Sequence, residues 1–258
     1  MSMTMPSHND DVRRSFRKQV PLFTGPQSPF ARRAGAPSRW GPLSPDDVVL
    51  DVACGAGHVA EELAPQVRQV VGIDLTPELL ALGAGRLHDA GVRNVLLQHG
   101  DAADLPFVDG SFDVVVCRVA LHHFADVPGS LREMARVCRA GGRVAIDELV
   151  APPGADAETR ARYDRLHRLL DPSHATALSG DELLAACRAQ IGQASEHSLN
   201  DPAVLPLDLI VTDASDRAGA ETALHDELAG GPPTGFAPAL VDGALHVRFS
   251  TMSIRLDR

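Results

Sequence analysis

The residues of this 258-residue chain best suited to chemistry lie between Asp51 and His123. The stretch DVACGAGHVA, Asp51 to Ala60, is a strand running into a glycine turn and then a helix. Gly55 and Gly57 lack a Cβ, so the backbone there can pass close to a ligand. Free amides at a helix start favour negative or electron-rich groups. A second acid, Asp74, ends the next apolar run, where a carboxylate can accept bonds from both hydroxyls of a ribose. Gly55, Gly57 and Ala60 also fit the G-x-G-x-x-A form of a dinucleotide loop, so a nicotinamide-dependent oxidoreductase stays open at this point.

His122 and His123 stand side by side, and His174 sits in the turn-like segment DPSH, Asp171 to His174. Adjacent histidines hold one ion poorly without further ligands, and none shows in the spacing, so no metal is expected. An imidazole beside the pocket suits proton transfer from an acceptor, since its ordinary pKa is about 6.5. The competing role is packing and orientation of the loop. These three are the candidate catalytic residues. Tyr163, Phe16 and Phe23 are candidates to line an acceptor pocket, against a plain packing role. Cys54, Cys117, Cys138 and Cys187 form no CxxC pair and no zinc spacing, which points to reduced, buried thiols.

Short apolar runs must position these groups. Strands are expected at Val48–Val52, Gln69–Asp74, Asn94–His99, Phe112–Arg118 and Arg143–Leu149, alternating with helical spacing. Thr76 and Pro77 are placed to open a helix whose Leu79, Leu80, Gly83 and Leu87 share a face. Leu131, Met134, Ala135 and Cys138 recur at helical spacing, and Gly141-Gly142 is expected to end that helix. Right-handed crossovers then build a doubly wound parallel sheet. Beyond Pro152-Pro153, a helix through Tyr163, Leu166 and Leu170 and a second one capped by Ser179 with Glu182 are expected. Asp242-Gly243 marks a hairpin. In the last strand Leu245, Val247 and Phe249 change phase to Met252, Ile254 and Leu256, which implies a bulge near Ser250 or a strand covered on both faces.

Three further features separate the nucleotide alternatives. Asp51 lies inside the first strand, four residues before Gly55, where a dinucleotide fold usually has an apolar residue. GDAADLPF, Gly100 to Phe107, comes next. FDVVVCRVALHHF, Phe112 to Phe124, is followed by REMARVCRAGGRVAI, Arg132 to Ile146. In this order, over about 100 residues, the segments resemble the class I S-adenosylmethionine-dependent methyltransferases. The nearest likeness is to the ubiquinone/menaquinone C-methyltransferase-like (type 11) branch, in which the VACG, LPF and HHF segments recur. DPSH followed by a helix is similar to a bacterial subgroup of that branch.

The resemblance implies an α/β, Rossmann-like, doubly wound and mostly parallel seven-stranded sheet with an antiparallel C-terminal strand, plus helical cap additions. It implies S-adenosylmethionine as cofactor and S-adenosylhomocysteine as product. Asp51 would face the amino-acid end of the cofactor, with Ala53, Gly55 and Gly57 in the loop and Asp74 on the ribose. Leu75 would cover an adenine face, Asp101 and Ala102 would meet the adenine amine and ring edge, and the Arg118 carbonyl would approach the ammonium. Ala53 replaces the first glycine of the strict acid-x-G-x-G-x-G form, a change common in the branch. The reaction implied is methyl transfer to a small organic acceptor, anionic or hydrophobic, with carbon, oxygen and nitrogen targets all open. The rivals are a relative that binds the cofactor without methylating, a nicotinamide-dependent oxidoreductase, and a methyltransferase acting on a macromolecule.

The domain plan that follows is a basic N-terminal arm or cap at 1–47, a cofactor-binding core at 48–150, and cap insertions with C-terminal strands at 151–258 completing the same sheet. The arm carries seven basic residues against four acidic ones, net +3, within a chain of net charge −10. An acidic body disfavours nucleic acid as a partner, while the arm is a candidate clamp for an anionic substrate or a solvated tail. No run approaches the ~18 apolar residues of a membrane span, and MSMTMPSHND has no apolar core of a secretory signal. A cytoplasmic monomer or homodimer is expected.

Overall fold

The computed structural model describes residues 7–24, 37–210 and 217–258. Near-continuous apolar runs are what strands covered on both faces require. They form β1 (Val48–Val52), β2 (Gln69–Asp74), β3 (Val95–His99), β4 (Phe112–Arg118) and β5 (Cys138–Val150). These five are parallel, in the order β3-β2-β1-β4-β5. The later strands are β6 (Ala194–Leu199), β7 (Ala203–Pro206), β8 (Ala239–Val241) and β9 (Ala244–Asp257). β9 is antiparallel to both β5 and β6, so the main path has the expected seven strands with one reversed. β7 and β8 pair with the first half of β9.

The helices are α1 (His8–Gln19), α2 (His58–Leu63), α3 (Pro77–Asp89), α4 (Val127–Val137), α5 (Ala157–Leu170), α6 (Gly180–Gln190) and α7 (Arg217–Leu228). Strand side chains alternate between faces. Leu50, Val52, Val115 and Cys117 therefore pack with α4 and α6. Val49, Val114 and Val116 pack on the other face with α2 and the fully buried Trp40. A further core joins α5, α7 and the first half of β9 through Tyr163, Leu224, Phe236, Val247 and Phe249. The four cysteines are free and buried.

Two local expectations are corrected, and of the two readings of the last strand the one covered on both faces holds. α4 stops at Val137, because Cys138 turns to extended backbone (φ −77, ψ 131) and pairs with Phe112. The glycine pair thus bends a long β5 and does not end the helix. Thr76 occupies the cap position of α3 without a side-chain bond, and its amide is held by Asp74 instead. β9 pairs with β7 over His246–Phe249 and with β5 in unbroken register over Ser250–Asp257. The phase change is an exchange of buried face: Val247 and Phe249 enter the cap core, and Met252, Ile254 and Leu256 the core beneath α4 and α6. The Asp242-Gly243 hairpin forms as expected, with both residues at positive φ (50° and 78°) and Val241 opposite Ala244.

Candidate functional site

A cavity of about 590 Å³ opens at the carboxyl ends of β1, β2 and β4, the usual ligand position in a doubly wound sheet. Asp51, Ala53, Gly55, Asp74, Leu75, Asp101, Ala102, Arg118, His122 and His123 all line it. Gly57 does not. It caps α2 in the left-handed conformation (φ 73) and so turns the chain away from the cavity. Gly55 (φ 55) brings the backbone to the cavity wall, where its amide donates to Asp74 Oδ2 (2.8 Å). The Thr76 amide donates to the other carboxylate oxygen (2.8 Å). Ala53 also sits at φ 55, the left-handed geometry that a glycine adopts without strain. Val119 does so at φ 48, an outlier for a β-branched residue, in the loop beside Arg118.

Asp51 is 1% exposed, and its Oδ2 is buried with no hydrogen-bond partner. Burial pushes its pKa up to about 7, against the pull of Arg118 and the Ala60 amide and with the push of Asp74 and Glu62. Burial likewise raises Asp74, opposed by the Thr76 and Gly55 amides. The Arg118 side chain is partly buried. Burial lowers its pKa while Asp51 and Asp147 stabilise its charge, and Asp147 is its neighbour across the β4–β5 register. Asp147 also pairs with Arg39.

Residues 50–146 match the family model described as a methyltransferase domain. Over these residues the chain has a methyltransferase domain. It is 42% identical over 126 residues to the uncharacterized methyltransferase YcgJ of Bacillus subtilis, a match covering 49% of each chain. The crystal structure of YcgJ superposes with a TM-score of 0.69 at 28% identity, covering 94% of this chain and 99% of that one. A 2-phytyl-1,4-naphtoquinone methyltransferase of Synechocystis is 37% identical over 130 residues, 48% of this chain and 54% of its own length. In sequence, then, the match spans about half the length of these curated relatives.

In this methyltransferase domain the loop after β4 hangs on one acid. Glu148 accepts from the Ala120 and Leu121 amides (2.8 and 2.7 Å) on one oxygen, and from His122 Nδ1 (2.6 Å) and its own neighbour's amide, Leu149 (2.8 Å), on the other. Burial works to raise its pKa, but His122 and the two loop amides outweigh it and hold the group below the usual range. Glu148→Gln is expected to lower the unfolding free energy by about 2 kcal/mol, because an amide NH2 would face backbone donors. Urea titration checks this, and a change below about 0.5 kcal/mol would remove Glu148 from the role of organiser.

His123 donates from Nδ1 to Ser173 Oγ (3.0 Å) and O (3.2 Å), and the Ser173 hydroxyl donates to Asp171 (2.6 Å). Burial first, then the His122 ring, pushes its pKa down to about 3, so the ring is neutral. His174 does not reach the cavity. It is 2% exposed, donates from Nε2 to Asp164 (2.7 Å) and stacks on His167 (3.9 Å). The structure therefore corrects its placement as an acceptor contact.

The arm is a cover over the cavity. His8 Nε2 donates to His123 O (2.7 Å), Asn9 to Asp101 (2.6 Å), and Ser15 to Asp171 (2.9 Å). Phe16 meets the His123 ring edge-on, and Phe23 packs on Ala56 and Leu79 beside Gly55. α1 gives the cavity Asn9, Val12, Phe16 and Gln19 and no cation. Arg13 and Arg14 instead pair with Asp10 and Asp11 at the surface, while Arg39 of the same arm lines the cavity. Arg32 and Arg33 lie outside the described residues. Tyr163 packs in the cap core and does not line the cavity.

Sequence reasoning missed Glu148, Asp147, Asp171 and His167. For the first two a signal existed: adjacent acids inside an otherwise apolar strand must be paired when buried.

Proposed function

We propose that the protein transfers a methyl group from S-adenosylmethionine to a small, mainly apolar acceptor, with the residues named below as its site. The observation that carries this is the unpartnered, buried Asp51 Oδ2 in the same cavity as the Asp74 carboxylate. One suits the ammonium of an amino acid, and the other keeps lone pairs for two ribose hydroxyls beside its amide contacts. A dinucleotide offers no ammonium donor for Asp51.

When bound, S-adenosylmethionine supplies a methyl carbon already activated by its sulfonium. The chain's own work is then binding, alignment and exclusion of water. Asp51 and the Arg118 carbonyl hold the amino-acid end, Asp74 the ribose, and Leu75, Asp101 and Ala102 the adenine. Gly55 and Ala53 give the loop its close approach, and Gly57 starts the helix behind it. Phe16, Leu205, Ile210 and Phe249 give the acceptor side an apolar wall. With Arg39 paired to Asp147, the apolar lining favours a hydrophobic acceptor body over a purely anionic one. Alignment of this kind supplies up to about 7–11 kcal/mol, so no strong base is required. His123, tied to Ser173 and the arm, positions the loop. The quinone substrates named for the Synechocystis relative make quinols the first acceptors to try.

The test pairs binding with turnover. S-adenosylhomocysteine should raise the melting temperature while NAD and NADP leave it unchanged, and S-adenosylmethionine with a naphthoquinol panel should release S-adenosylhomocysteine. Stabilisation by a dinucleotide alone would overturn the assignment, and binding without product across quinol, phenol and amine acceptors would favour a non-methylating binder.

A further inference from the structure

We propose that His122, His167 and His174 form a binding site for one divalent transition-metal ion, with Zn2+ the ion that fits it. His122 comes from the loop after β4, His167 from the last turn of α5 and His174 from the turn that follows it. All three are buried, and one ring nitrogen of each lies within 4.8 Å of the others.

The hydrogen bonding independently points to a ligand. Nδ1 of His167 and Nδ1 of His174 are buried without a hydrogen-bond partner. The far nitrogens of two of the rings are held by carboxylates: His122 Nδ1 donates to Glu148 (2.6 Å) and His174 Nε2 to Asp164 (2.7 Å). A carboxylate on the distal nitrogen fixes the tautomer, leaves the near nitrogen as a bare lone pair and raises its basicity, the usual support of a metal-bound histidine. His122 Nε2 and His174 Nδ1 are the lone pairs so defined. Asp164 is fixed in turn by the Thr176 hydroxyl (3.1 Å) and the Ala177 amide (3.2 Å).

Neutral imidazoles suit zinc and its neighbours over calcium or magnesium, which take oxygen ligands. Zinc bound at about 2.0–2.1 Å from each nitrogen sets them roughly 3.4 Å apart, so the rings draw together on loading. The His167 and His174 planes, now 15° apart, must open to converge on the ion. Three protein ligands leave a position free. His122 and His167 line the cavity, so that position faces it and takes water or an acceptor oxygen. The acceptor oxygen rests on the methyl-transfer reading, whereas ion binding does not.

The full chain, purified without a metal-affinity step and stripped by chelation, is titrated with Zn2+ by calorimetry and with Co2+ by visible absorption. The expected result is one tight equivalent per chain, with the d–d bands of a low-coordinate nitrogen site. His167→Gln should weaken binding by at least 100-fold and remove those bands, and Asp164→Asn should weaken it by about 10–100-fold. Both variants are required to show the wild-type circular dichroism melt and S-adenosylhomocysteine affinity, which separates a lost ligand from a lost fold. No tight equivalent in wild type, or unchanged affinity in folded His167→Gln, would overturn the site. Zinc binding without methyl transfer would leave the site standing and overturn the reaction.

Discussion

Asp74→Ala is expected to weaken S-adenosylhomocysteine binding by a factor of about 10²–10⁴. The ribose would lose two charge-assisted hydrogen bonds, each worth about 1.5–3 kcal/mol. The Gly55 and Thr76 amides lose their shared acceptor as well, so the glycine turn loses the contact that fixes it to the end of β2. Asp74→Asn separates the two effects: its remaining oxygen can hold only one amide, and its NH2 must face the other. Calorimetric titration of both variants checks this. Affinity within threefold of wild type for Asp74→Ala would mean that the ribose lies elsewhere.

Asp51→Asn is expected to cost about 10–100-fold in affinity at pH 7.5 and to flatten a pH dependence seen in wild type. Burial pushes the Asp51 carboxyl up to about 7, from an unfolded value of 3.8. A raised carboxyl pKa means that the folded state retains the proton. The stability this gives is fully present below about pH 3.8 and is lost as pH rises through about 7. A cation binding at Oδ2 requires the ionised form, so affinity should rise about tenfold per pH unit from pH 5 to 6.5 and level off near 7, below the titration range of an α-amino group. The charged groups around Asp51 are Arg118 on β4, which favours ionisation, and Asp74 on β2 and Glu62 on α2, which oppose it. A flat wild-type profile, or one unaltered in Asp51→Asn, would remove Asp51 from the cation site.

The sheet was legible because its strands are apolar runs with turn residues between them. Val48–Val52, Gln69–Asp74 and Phe112–Arg118 match to the residue. Short-range rules failed where tertiary pairing overrode them, as at Cys138, whose helical spacing yields to a strand partner in Phe112. The candidate cofactor positions were legible because one motif carries them over a short span. The proposed acceptor side was not, because this part of the cavity is assembled from separate segments: Phe16 from the arm, His167 from α5 and Phe249 from β9. No local pattern links these, and the imidazole cluster in particular needs His122 and His167 brought together across 45 residues of chain.

β9 gives its first half, paired with β7 and β8, to one hydrophobic core and its second half, paired with β5 and β6, to another. Neither core can lose its strand without straining the same backbone, so the cap is not a separately melting appendage of the sheet. A destabilising change in either core is therefore expected to be felt by both.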